Sequence, residues 1–210
     1  WAAGGGQMSG NGTIIATSNG GNNWQTQVTG LPNRFNSLHF ANSLSGWCAG
    51  DNGTIYATVN GGVNWAAQVS GTTNRLNSVY FANSQTGWVV SNNGMILKST
   101  NSGVNWGVQA TGLVSLNSVC FTDPNTGWCT GAAGVMLKTT NGGSNWYFQY
   151  VPVELNYTCV FPLSASDVWA GGDYETVIHT TDGGTLVGGI NNLDILPAGF
   201  SLSQNFPNPF

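Results

Sequence analysis

Tryptophan recurs along this chain at a fixed interval. The octets "TSNGGNNW", "TVNGGVNW", "STNSGVNW" and "TTNGGSNW" end at Trp24, Trp65, Trp106 and Trp146, a spacing of 41, 41 and 40 residues. A second series, in "GW" or "VW" contexts, falls at Trp47, Trp88, Trp128 and Trp169, spaced 41, 40 and 41. Trp1 fits as the first member of that series, and the two series account for all nine tryptophans. A period in the forties, rich in β-formers and turn residues, is the mark of a propeller or similar repeat array.

One unit reads in full from Arg75 to Gly112. "RLNSVYFA" alternates and is β-rich (strand a), and "WVVS" follows the turn "NSQTG" (strand b). "MILKST" is strand c, and the octet turns the chain into "NWGVQAT", strand d. Alternating apolar runs joined by Asn-Gly and Gly-Gly turns are hairpin signals, and four antiparallel strands make one propeller blade. No segment carries a 3.6-residue apolar period, so the expected fold class is all-β: a β-propeller of four-stranded blades, five repeats visible. Units two to five each have a strand a ("RFNSLHF", "RLNSVYF", "SLNSVCF", "ELNYTCVF"); unit one has none. Either "GFSLSQNF" near the C-terminus supplies that strand and closes the ring, or further blades lie upstream. The expected division is a propeller over residues 1–187, a linker over 188–199 and a terminal segment over 200–210.

The polar residues narrow the function classes. Only 6% of the 210 residues are Asp, Glu, Lys or Arg, against roughly 25% in ordinary soluble proteins. Thirty-one Gly and 26 Asn stand in their place. Nine Trp and nine Phe supply a core, which separates this composition from disorder. A net charge of −4 with four basic residues argues against nucleic acid and anionic membranes as partners. No stretch approaches the roughly 18 apolar residues of a transmembrane helix. The chain opens in the middle of a repeat without a signal peptide, which suggests that upstream sequence has been removed or left out.

The octet has the form Ser/Thr-x-Asn/Asp-x-Gly-x-x-Trp. Its copies are Thr17, Asn19, Gly21, Trp24; Thr58, Asn60, Gly62, Trp65; Ser99, Asn101, Gly103, Trp106; and Thr139, Asn141, Gly143, Trp146. The fifth, Thr180, Asp182 and Gly184, has lost its tryptophan. Gly supplies the positive φ of a c–d turn, and the amide or carboxylate and the hydroxyl can bond the turn's own N–H groups. The Trp can then bury a large ring between sheets. A catalytic site occurs once, whereas this device recurs in phase, so the octet and the "GW" series both read as architecture. The pattern resembles the Asp-box, or bacterial neuraminidase repeat. The whole unit is similar to propellers of the photosystem II stability and assembly factor type over about residues 1–187, which implies a protein-binding platform.

Chemistry finds little foothold. Sialidases, relatives by the Asp-box, need three arginines around a carboxylate, and this chain has only Arg34 and Arg75. Glycosidases need two carboxylates roughly 5–10 Å apart. Only Asp173 and Glu175 are close in sequence, on a b–c turn where solvated acids are common. His39 and His179 occupy repeat positions without an acidic companion at motif spacing, and no metal, nucleotide or cofactor motif occurs. Cys48, Cys120, Cys129 and Cys159 permit three pairings; Cys120 and Cys129 flank one hairpin and could face each other. The face bearing strand-a starts and b–c turns departs most from the repeat. It collects Arg34, Asp51, Arg75, Glu154, Asp173, Tyr174 and Glu175 as a candidate binding face, with Tyr147 and Phe148 as further aromatic candidates.

The final "FSLSQNFPNPF" resembles the opening of the C-terminal sorting domain of type IX secretion substrates, through Leu202, Gln204, Asn205, Pro207, Asn208, Pro209 and Phe210. That resemblance implies export to the outside or outer surface of a Bacteroidota-type bacterium. The expected function is a secreted or cell-surface, non-enzymatic module binding protein or glycan. The alternative is a structural subunit of an extracellular filament, self-assembling by C-terminal strand exchange. A glycoside hydrolase ranks last for want of a carboxylate pair.

Overall fold

The alternating strands form five antiparallel sheets in chain order. The computed structural model describes residues 1–5, 11–184 and 186–190. Sheet one holds β1 (Ala2–Gly5), β2 (Gly12–Ala16) and β3 (Gln25–Leu31). Sheet two holds β4 (Phe35–Phe40), β5 (Gly46–Gly50), β6 (Thr54–Thr58) and β7 (Ala66–Val69). Sheet three holds β8 (Leu76–Phe81), β9 (Gly87–Ser91), β10 (Ile96–Ser99) and β11 (Gly107–Ala110). Sheet four starts with β12 (Leu116–Phe121), β13 (Gly127–Gly131), β14 (Met136–Thr139) and β15 (Trp146–Gln149). Sheet five has β16 (Tyr157–Pro162), β17 (Val168–Gly172) and β18 (Val177–Thr180). The only helical turn among the described residues is at Asp51–Gly53.

One departure concerns the last strand. The repeat predicts a fourth strand after the fifth octet, within sheet five. Instead β19 (Leu186–Ile190) pairs antiparallel with β15, making sheet four five-stranded. In sheets two to four the octet tryptophan packs edge-on against the Phe of strand a. Sheet five has Pro162 at that cross-strand position and no tryptophan in its octet, so the clamp on a returning strand is missing. The first three residues of the expected linker, 188–190, belong to β19.

The core lies between sheets. Four apolar clusters occupy the four successive interfaces, centred on Ile14 and Phe35, on Trp47 and Phe81, on Trp88 and Phe121, and on Trp128 and Tyr157. Strand b is buried along its length in sheets two, three and four, whereas β7 and β11 are largely exposed. The first strands lie side by side from β1 to β4, β8, β12 and β16, which turns the sheets around a common inner edge in a propeller-like arrangement.

The two tryptophan series divide the labour at each interface. Trp47 stacks on Phe81 of the next sheet with centroids 3.5 Å apart, and Trp106 meets that same Phe81 edge-on at 5.7 Å. Trp88, Phe121 and Trp146 repeat the arrangement, as do Trp1, Phe40 and Trp65. The glycine of "GW" lies under the Phe ring: a Cβ at Gly87 would stand 2.5 Å from Phe81, and one at Gly127 2.3 Å from Phe121. Sheet five exchanges both partners at once, pairing Val168 with Pro162 where the others pair Gly with Phe. Burial of both tryptophan series, expected throughout, fails at the ends of the array. Trp24 and Trp169 are 48% and 41% exposed because no Phe among the described residues covers them, and Trp1 is 39% exposed although it stacks on Phe40.

Candidate binding cavity

The octets lie on one face of the array and make the same hydrogen bonds in each copy. In the second, Thr58 Oγ1 donates to Asn60 Oδ1 at 2.9 Å and accepts from Gly62 N at 2.9 Å, while Asn64 N donates to Asn60 Oδ1 at 3.0 Å. Thr17 with Asn19 and Gly21, Ser99 with Asn101 and Gly103, and Thr139 with Asn141 and Gly143 do the same. In the fifth copy Thr180 donates to Asp182, and Gly184 N bonds both side chains. The hydroxyl and amide thus take up N–H groups that a tight turn leaves unpaired. The turn also receives the preceding sheet: Trp47 Nε1 donates to Ser102 O at 3.0 Å and Trp88 Nε1 to Gly142 O at 3.2 Å. Lys98 and Lys138 reach Gly142 O and Gly183 O at 2.7 and 2.9 Å, and burial pulls both lysines below their usual pKa. These side chains are all engaged within the fold.

The opposite face carries a cavity of about 560 Å³ at the inner edge of the sheets. Its wall is built where strand a begins: Asn36, Asn77, Asn117 and Asn156 come from successive sheets, with Arg34 and Arg75 beside them and Gly4 and Gly5 of β1 across from them. Asparagine sits there for a local reason. Asn36 Nδ2 donates to Leu76 O at 3.0 Å, Asn77 Nδ2 to Leu116 O at 2.7 Å and Asn117 Nδ2 to Tyr157 O at 2.9 Å, so each amide ties its strand to the next. The following serines do likewise: Ser37, Ser78 and Ser118 accept from the N–H of Val79, Val119 and Val160. This "NS" pair is absent from the residues singled out by sequence, although its recurrence in units two to four is a periodic signal of the same kind as the octet.

The expected binding face resolves into connected and unconnected parts. Arg75 pairs with Asp51 at 3.4 Å and donates to Asn36 at 3.2 Å, and Asn36 donates to Asp51 at 2.9 Å. Asp173 accepts from Asn156 at 3.1 Å and Asn156 accepts from Asn117 at 2.7 Å, a second set that joins sheets four and five. The Nε of Arg34 is buried without a hydrogen-bond partner. Tyr174 and Glu175 form the tip of the adjacent b–c turn with φ of 55° and 60°, where Asn52–Gly53 and Ala133–Gly134 stand in other sheets. Two non-glycine residues in the left-handed region cost roughly 1–2 kcal/mol each; Tyr174 is nonetheless 87% exposed. Glu154 packs instead against Gly134, and Phe148 lies against the core of sheet four.

Two expectations change. His179 does have an acidic companion: Nε2 lies 2.9 Å from Asp167 Oδ1, brought there by the β17–β18 pairing rather than by sequence spacing. Cys120 and Cys129 do not face each other, because Cys120 stands opposite Trp128 and Cys129 opposite Val119. All four cysteines are free, with Cys48 and Cys129 buried and Cys159 exposed. His39 donates through Nε2 to Phe81 O at 2.9 Å and packs on Tyr80, a bridge between sheets two and three. Among the described residues no three His, Cys, Asp or Glu side chains cluster to hold a metal.

Comparison with known proteins places this geometry. The family described as photosynthesis system II assembly factor YCF48 matches residues 31–111 and 108–199. No curated protein matches the chain. A GH74 enzyme of Niastella koreensis is 19% identical, with 85% of this chain and 34% of that one aligned at a TM-score of 0.66. YCF48 from Cyanidioschyzon merolae is 19% identical over 73% of this chain and 56% of its own, at 0.56. The computationally designed Ika4 protein is 11% identical over 71% and 91%, at 0.58. The chain thus spans about a third of the GH74 enzyme and just over half of YCF48, and the likeness to all three is one of fold.

Proposed function

Because the chain belongs to the photosynthesis system II assembly factor YCF48 family, we propose that it is a non-enzymatic module that binds an extended polypeptide at the cavity framed by Arg34, Arg75 and the strand-a asparagines. The observation that carries this reading is Arg34, which lines the cavity with its Nε unpartnered, beside Arg75 and a row of strand-a asparagines. A donor without an acceptor costs about 1–3 kcal/mol, and a ligand carbonyl at the Arg34 guanidinium offsets it in this reading. Asp51 offsets the charge of Arg75, which leaves Arg34 and the asparagine amides as the groups that meet a hydrogen-bonding ligand. A polypeptide backbone presents hydrogen-bonding groups at every residue. Tyr174, solvent-exposed on a turn joined to the cavity through Asp173, supplies an aromatic contact for a side chain of the ligand.

The sheets form a closed propeller in this reading, and the sorting-type string at the C-terminus supports action outside the cell or on its outer surface. Arrays of random peptides and of glycans, probed with the same labelled protein, test the reading. Binding to a subset of peptides is expected. Binding confined to glycans would replace the polypeptide ligand with a carbohydrate.

A further inference from the structure

Sheets two, three and four each have a fourth strand, and its octet tryptophan packs into the groove toward the preceding sheet. Trp65, Trp106 and Trp146 do so against the Phe of strand a. Sheet five has no such strand among the described residues: β18 pairs with β17 alone, and the chain leaves for β15. A groove of about 480 Å³ remains between sheets four and five, walled by Trp128, Met136 and Tyr150 on one side and Val168, Ile178 and Thr180 on the other. The equivalent place one sheet earlier shows what is missing. There Trp88, Gln109 and Trp146 converge on Gly143 of the octet turn. Trp128, Gln149 and Gly184 repeat three members of that group, and the position of the fourth, Trp146, falls at residue 187 in β19. Gln149 is 6% exposed and lines the groove, and its Nε2 has no hydrogen-bond partner.

We propose that this groove is a second docking site, which takes an extended strand of a partner polypeptide, paired antiparallel with β18 and seating an aromatic side chain against Trp128 and Val168. The occupant follows from the three interfaces already filled, each of which holds an antiparallel fourth strand and an indole at this level. An edge strand offers a row of unpaired N–H and C=O groups to such a ligand, and the groove beside it selects the side chain. Around the groove Thr180 is paired with Asp182 and His179 with Asp167, which leaves the Gln149 amide to donate to a carbonyl of the incoming strand. Trp128, Met136, Val168 and Ile178 supply apolar walls, where an aromatic ring is favoured and a charge would be costly. No residue of the groove lines the inner cavity, so the inference holds whatever that cavity binds.

The test titrates the ¹⁵N-labelled full chain with a peptide copied from its own fourth strand, "NWGVQAT" of residues 105–111, and follows the assigned backbone amide signals by NMR. The signals of Val177–Thr180 are expected to move. Those of β11, an edge strand whose own tryptophan is already in place, are expected to stay. The Trp106→Ala form of the peptide is expected to need a concentration about tenfold higher or more for half saturation. Movement of β11 to the same extent means adhesion to any open edge and overturns the proposal. So does movement confined to Arg34, Arg75 and the strand-a asparagines, which places the peptide in the inner cavity instead. Equal binding of the two peptides overturns the aromatic anchor. Signals of Val177–Thr180 that follow protein concentration rather than peptide assign the groove to a second copy, and signals that never move show the edge closed to a partner; either result overturns the proposal.

Discussion

Trp88 of the third sheet lies flat on Phe121 of the fourth, with ring centroids 3.5 Å apart and planes 13° from parallel. Gly127, across the strand from Phe121, makes room for that ring. The contact joins two sheets that share no backbone ladder, and its repetition holds the array together.

Phe121→Ala removes the shared ring of one triplet and is expected to cost about 3–5 kcal/mol, as for other buried Phe. Gly127→Ala drives a methyl into the same ring and also destabilises. The double variant should lose less than the sum, since the methyl no longer meets a ring. Denaturant unfolding of the four proteins checks this. The Val168–Pro162 pair in sheet five is the chain's own version of the double exchange.

Gly143 has φ of 86°, and a Cβ there would stand 3.0 Å from Trp88 Nε1 and 3.3 Å from Trp146 Nε1. Gly143→Ala is expected to lose roughly 1–3 kcal/mol through strain and crowding. Gly112→Ala, at φ of 78° with nothing within 4 Å, should show the strain alone. A larger fall in thermal stability for Gly143→Ala than for Gly112→Ala is the expected result.

The five units, their strand order and the octet turn are legible in the periodicity of the sequence alone. Strand a of unit three, read over residues 75–82, is β8 at Leu76–Phe81. What the periodicity leaves hidden is relational. That Trp47 and Trp106 share one Phe depends on how neighbouring sheets dock, which no single unit records. The strand-a asparagines are likewise present as letters, but their role appears only when carbonyls of the next sheet come into reach. His179 and Asp167 meet through strand register, and the path of β19 to sheet four reverses a purely periodic expectation. Residues 191–210, where the sorting resemblance and the closing strand fall, lie outside the described residues.

His39 carries a pH dependence. Burial lowers its pKa below 6.5, against the opposing bond to the Phe81 carbonyl. The unfolded chain therefore binds the proton more readily than the native one, so stability is full above about pH 6.5 and declines as pH falls through that value. His39→Gln should flatten this part of the profile, measured as the urea midpoint between about pH 5 and 8.

The four thiols should separate by exposure. Cys159 is exposed, whereas burial pushes Cys120 up to about 11 and raises Cys48 and Cys129 further. In the native protein a disulfide-exchange reagent is expected to label one thiol rapidly, a reaction lost in Cys159→Ser, and all four after denaturation.

The central claim is that the cavity at the inner edge of the sheets binds polypeptide. The most direct measurement compares peptide-array binding of the wild type, Arg34→Ala/Arg75→Ala, and the octet-face variant Val63→Ser, whose Val63 is 75% exposed. The account predicts that the arginine variant loses its peptide signals by about tenfold or more, as expected for removing charge-assisted hydrogen bonds. It predicts that Val63→Ser keeps them. Peptide binding that survives in the arginine variant and disappears in Val63→Ser would place the site on the octet face and contradict the account.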